Sequence, residues 1–178
     1  RQRDDVAFVR TGGDPDGVAN EEYFGVVDAE RNPKDAFNAL SGIFAINTSA
    51  GSDIPYADYN SNTILTFAEV TSSGQTEVTE SAAGPNPPSG FHLQGNYYDI
   101  TTTAVFLGQV QVCVGYDDTG LTEQQEMALR LFHFENGSWV DVSQLPNNIL
   151  NNVVCGNVTS FSPFVILKPN QTPVAHAG

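Results

Sequence analysis

Cations are scarce in this sequence: seven Lys and Arg stand against 21 Asp and Glu, a formal net charge of −14 over 178 residues. Residues 1–60 carry 11 acids and 5 bases, a net of −6, and residues 61–178 carry 10 acids and 2 bases (Arg130 and Lys168), a net of −8. So few positive side chains cannot neutralise a phosphate backbone, which excludes nucleic acid as a partner. The same field repels anionic membrane surfaces and favours calcium or high salt. No run of about 18 apolar residues occurs, so no membrane span is expected. Cysteine is nearly absent. The two present, Cys113 and Cys155, each lie in an apolar, β-branched run, "VQVCVGY" and "NVVCGNV". That placement leads to the expectation of an inter-strand disulfide in an exported protein, extracellular or at the cell surface. Two buried thiols in a cytosolic domain are the alternative. His92, His133 and His176 are dispersed, with no Cys or His at metal-ligand spacing, so zinc is not expected. Nor is there a Gly-rich phosphate loop. The chain starts at Arg1 without a signal sequence and stops at "TPVAHAG". Both ends read as cuts through a longer polypeptide.

What is present divides into regions. Residues 1–46 read as a short strand-helix segment. "DVAFVR" and "YFGVVDAE" are strand candidates, and "NPKDAFNALSGIFA" has a helix signature. Asn32 suits the cap, Pro33 the first turn and Asp35 the positive end of the dipole. Phe37, Leu40, Ile43 and Phe44 fall on one stripe that must be buried. Residues 47–63 ("NTSAGSDIPYADYNSNT") are small, polar and turn-rich, the composition of a linker. Over residues 64–168 the period becomes two. Strand candidates are "ILTFAEV", "TEVTES", "GFHL", "YYDITTTAVF", "VQVCVGY", "LRLFHF", "SWVDV", "NVVCGNV" and "PFVIL". "ENGS" suits a primed hairpin turn between "LRLFHF" and "SWVDV", and "TGLTEQQEMA" suits a single helical turn. Many short alternating strands over about 100 residues predict a mainly β fold, an antiparallel immunoglobulin-like β-sandwich. Residues 169–178 begin a following linker or domain.

Two resemblances sharpen this expectation. "ANEEYFGVVDAERNPKDAFNAL" (Ala19–Leu40) resembles the closing strand and last helix of a glycoside-hydrolase (β/α)8 barrel. It covers about 22 residues, and the catalytic carboxylates of that family sit on earlier strands, so no catalytic residue is implied here. The ordered blocks "YYDITTTAVF", "VQVCVGYD", "LRLFHFENGSWVDVS" and "VVCGNVTSFSPF" are similar to a repeated β-sandwich module of secreted bacterial multidomain proteins. That module is in turn similar to the ZU5 and UPA domains of animal scaffold proteins. The likeness implies an accessory or spacer role with no defined ligand. "NQTPVAHAG" looks like the first strand of a PKD- or cadherin-like domain. In self-cleaving ZU5-like relatives, a histidine precedes a scissile Phe-Ser bond. Here Ser160 holds that place before Phe161–Ser162, a poor base at neutral pH, and nothing in the spacing requires His133 to face the bond from a neighbouring strand, so an intact closing strand is expected.

Glu21 and Glu22 are adjacent, so on a strand they point to opposite faces and cannot flank one glycosidic bond. Asp14, Asp16, Asn20 and Glu22 around Gly17 are oxygen donors for a calcium site, as alternate-position loop acids often are. Val18 stands where an EF-hand loop needs its third acid. Asp117 and Asp118 in "YDDTGLTE" form a second calcium candidate, and ordinary turn acids are the alternative at both places. Tyr97, Tyr98 and Trp139, with Phe91, are candidates for a sugar-stacking platform. Alternation puts Tyr97 and Tyr98 on opposite faces, and core packing is the usual role of a Trp such as Trp139. Asn47, Asn136, Asn157 and Asn170 each begin an N-x-Ser/Thr sequon.

The reading is therefore a non-enzymatic structural or accessory module of a modular secreted or cell-surface protein. It is expected to need no cofactor beyond possible calcium, and its partners are other domains of the same polypeptide. Its rivals are a carbohydrate-binding module of a glycoside hydrolase, with a polysaccharide partner, and a self-associating filament subunit that exchanges strands.

Overall fold

A computed structural model of the chain describes residues 46–161 and 163–170. The chain divides into two units, Arg1–Ile46 and Asn47–Gly178, and the description concerns the second. The strand-helix reading of residues 1–46, with its Phe37–Phe44 stripe, lies outside the described residues, as do Ser162 and residues 171–178.

The second unit is a sandwich of two antiparallel five-stranded sheets. In chain order the strands are β1 (Gly51–Asp58), β2 (Thr63–Ser72), β3 (Thr76–Ser81), β4 (Phe91–Thr102) and β5 (Val105–Gly115), then β6 (Arg130–Glu135), β7 (Ser138–Asp141), β8 (Ser143–Asn148), β9 (Val153–Val158) and β10 (Phe164–Pro169). The first sheet runs β1-β2-β5-β9-β8 and the second β3-β4-β10-β6-β7. One five-residue helix, α1 (Glu123–Met127), lies between β5 and β6. Its start follows from a capping box: Thr122 accepts from the Gln125 amide, while the Gln125 side chain accepts from the Thr122 amide.

The period of two in the sequence fills the space between the sheets. Leu65 and Phe67 of β2, Val110, Val112 and Val114 of β5, and Val154 and Val158 of β9 face Tyr98 and Ile100 of β4, Leu131 of β6, and Phe164 and Ile166 of β10. Each such side chain, once fully buried, contributes roughly 1.5–3 kcal/mol. β10 is buried on both faces, with Val165 and Leu167 in a second cluster on the outer side of its sheet. That is why "FVIL" reads as an unbroken apolar run.

Several boundaries differ from the sequence reading. The expected linker 47–63 is part of the sandwich. Within it, β1 pairs with β2 from Gly51↔Val70 to Asp58↔Thr63, and half-buried Ile54 and Tyr56 pack on the core. Being an edge strand, β1 buries only one face, so its other positions stay small and polar and imitate a linker. Ahead of it, Thr48 is fully buried and bonds through Oγ1 to Thr76 Oγ1 at 2.6 Å, and Thr76 Oγ1 lies 2.9 Å from Thr102 Oγ1. "GFHL" and "YYDI" are one strand, β4, whose Gly95 and Asn96 have no partner in β10. Gly95 takes φ +88°, a left-handed conformation that suits a bulge. "TTTAVF" is split by the turn at Thr103–Ala104. The strand β8, which contains Pro146, carries no alternating signal in the sequence. The "ENGS" hairpin is as expected, with Asn136 at φ 50° and Gly137 at φ 80° as a primed turn requires.

Candidate functional site

Tyr97 and Tyr98 point to opposite faces of β4, and both are buried, at 7% and 6% exposure. Tyr98 enters the main core. Tyr97 joins the outer cluster with Phe132, Val165 and Leu167, against half-buried Phe91, Leu93 and Trp139. Trp139, from the far edge strand β7, brings its ring to 6.1 Å from Tyr97 and packs edge-to-face on Phe134 at 4.9 Å. Neither tyrosine offers an open ring to a stacking sugar, while Phe91 and Trp139 are half-buried. Residues 82–90 ("SAAGPNPPSG" from Ser81), the connection from β3 to β4, lie over this face instead. Tyr97 Oη donates to the carbonyl of Pro85 at 2.9 Å, and Trp139 Nε1 donates to the carbonyl of Asn86 at 2.9 Å. Gly84 approaches the Tyr97 ring so closely that a Cβ there would overlap it. The far end of the connection is fixed by the Phe91 amide on Pro88 and the Asn170 amide on Gly90. An apolar, aromatic face with two side-chain donors has bound a proline-rich segment of its own chain.

A second grouping sits at one end of the sandwich. His133 of β6 is fully buried, directly opposite Phe164, with the two rings stacked at 4.3 Å and 6°. Its Nδ1 lies 2.8 Å from Glu135 Oε1, which also accepts from Ser160 Oγ at 3.3 Å. Burial pushes the imidazole below its ordinary pKa, and the Glu135 carboxylate opposes that shift. Period two puts His133 and Glu135 on one face of the strand, so that much stood in "LFHFE". Ser160 joins them from 25 residues away, which no local pattern shows. The Ser160 bond to Glu135 ties the turn before β10 to the end of β6. Phe161 packs on the main core beside Phe67 and Phe106, and Phe164 and Ile166 lie inside it. Phe161 reaches the core from the turn before β10 rather than from the strand.

Cys113 and Cys155 are opposite one another in the β5–β9 register and form a disulfide, with Cα atoms 4.0 Å apart. Their neighbours Val112, Val114 and Val154 face inward, so the bridge lies on the outer face of the first sheet. The row continues to Ile64 on one side and Gln144 on the other.

The calcium candidates fare differently. Asp14, Asp16, Asn20 and Glu22 lie outside the described residues. Asp117 is a turn acid whose Oδ1 accepts the Thr119 amide at 2.9 Å, and the Thr119 bonds hold its carboxyl below the usual range. The Asp118 carbonyl accepts the Leu121 amide, which closes the same turn. Among the described residues, no three His, Cys, Asp or Glu side chains converge as metal ligands. No described helix is long and apolar enough to cross a membrane. Of the four sequons, Asn47 spends its side chain inside the fold, donating to the Thr76 carbonyl and accepting the Thr76 amide, whereas Asn136 is exposed at the hairpin tip.

No protein-family model, no curated protein and no solved structure matches this chain.

Proposed function

We propose that the sandwich is a non-catalytic structural or accessory module of an exported modular protein, of the ZU5/UPA-like kind that its block order resembles. One observation carries this reading: a disulfide ties the adjacent strands β5 and β9 of a sandwich whose interior is filled by its own side chains. Bridges of this kind persist in oxidising compartments, and closing a loop of 42 residues' separation contributes about 4 kcal/mol in the chain-entropy account. The partners this reading implies are neighbouring domains of the same polypeptide. The carbohydrate-binding rival draws no support from Tyr97 and Tyr98, which are interior. Affinity electrophoresis through gels containing soluble polysaccharides separates the two. The accessory reading expects unchanged mobility. Retardation by one polysaccharide that is abolished in Trp139→Ala would overturn it in favour of sugar binding.

A further inference from the structure

We propose that the outer face of the second sheet is a recognition groove for proline-rich extended peptides, held closed in cis by residues 82–90. Its floor is Phe132, Val165 and Leu167, and its walls are Tyr97, Phe91 and Trp139. The occupant is named by what already sits there. Pro85, Pro87 and Pro88 are half-buried along a segment outside the strand ladders. Two successive carbonyls, of Pro85 and Asn86, accept from Tyr97 Oη and Trp139 Nε1. Aromatic-lined grooves recognise proline-rich chains by the same division of labour: rings pack on pyrrolidine, and Tyr or Trp donors read carbonyls that have no ladder partner. The contacts themselves are made by apolar rings and two neutral donors. A tethered strap has an effective concentration of about millimolar, so a free peptide of equal quality is excluded until the strap yields. The face is therefore closed by competition, and a better-fitting proline-rich partner opens it. The inference does not depend on whether the module is exported.

Trp139 is the chain's single tryptophan and lies in the contact, so its emission reports occupancy. The strap is weakened without changing its length by Pro85→Gly, Pro87→Gly and Pro88→Gly together, and a synthetic peptide of residues 82–90 is titrated in. A saturable shift in Trp139 emission is expected. Half-saturation should fall at least about tenfold below that of the native chain, in line with loss of the tethered competitor. Adding Tyr97→Phe removes the donor to Pro85 and should weaken the peptide several-fold. If the triple variant unfolds, a specific protease site placed after Ser89 and cut in the folded native chain frees the strap at one end and serves the same titration. No saturable shift in the opened protein overturns the proposal. So does a response to a neutral oligosaccharide with none to the peptide, or dimerisation of the opened protein in place of peptide binding.

Discussion

At the scale of single residues, His133 makes the molecule sensitive to acid. In the unfolded chain its imidazole titrates near 6.5. In the fold, burial disfavours the cation more than Glu135 favours it, so the native group takes up its proton at lower pH. The unfolded state binds the proton first. Stability from this residue is therefore complete above about pH 6.5 and drains away as the pH falls through the native pKa. Urea midpoints measured from pH 7.5 to 5 should decline in the native protein and decline less in His133→Gln, and identical slopes would contradict the assignment. Gly74 is a second sensitive point. It bridges Thr48, and a Cβ on it would run into the Ala104 backbone, which cannot swing aside as a side chain does. Gly74→Ala is expected to cost roughly 1–3 kcal/mol in chemical denaturation. The opposite faces of Tyr97 and Tyr98 were legible in the sequence, because alternation fixes them. What lies on Tyr97 was not: its contacts with Gly84 and Pro85 join a strand to a loop 12 residues earlier, and no periodicity encodes such a meeting.

Among elements, strands that bury both faces or alternate cleanly announced themselves. β5, β6, β9 and β10 all carry the valines, leucines and phenylalanines of the core. Edge strands did not. β1 shows only Ile54 and Tyr56 to the interior, and β8 pairs irregularly with β9 between Gln144 and Asn148. An edge strand needs no second apolar face, so composition alone sorts it with linkers. The assignment of β1 to the sandwich has a direct consequence. Ile54→Asp in the full chain should lower stability by roughly 1–2 kcal/mol, less than a fully buried aliphatic side chain contributes because Ile54 is half-buried. A melting temperature unchanged from the native protein would return residues 47–63 to the role of a linker.

At the largest scale described, that of the sandwich unit, two layers of five strands enclose an apolar interior and one disulfide joins adjacent strands. The sandwich architecture and the Cys113–Cys155 pairing were readable from alternation and from two cysteines set in β-branched runs. The closing strap was not readable, since proline-rich turns look alike whether they wave in solvent or lie on aromatic rings. The central claim, an oxidised and non-catalytic sandwich, meets its most direct test in the intact mass of the purified chain, unfolded without reductant. One species is expected, at the full-chain mass less the two hydrogens lost in closing the disulfide. Two fragments parting at Phe161–Ser162 would show that the chain performs chemistry on itself, and a mass retaining both thiol hydrogens would remove the bridge on which the exported reading stands.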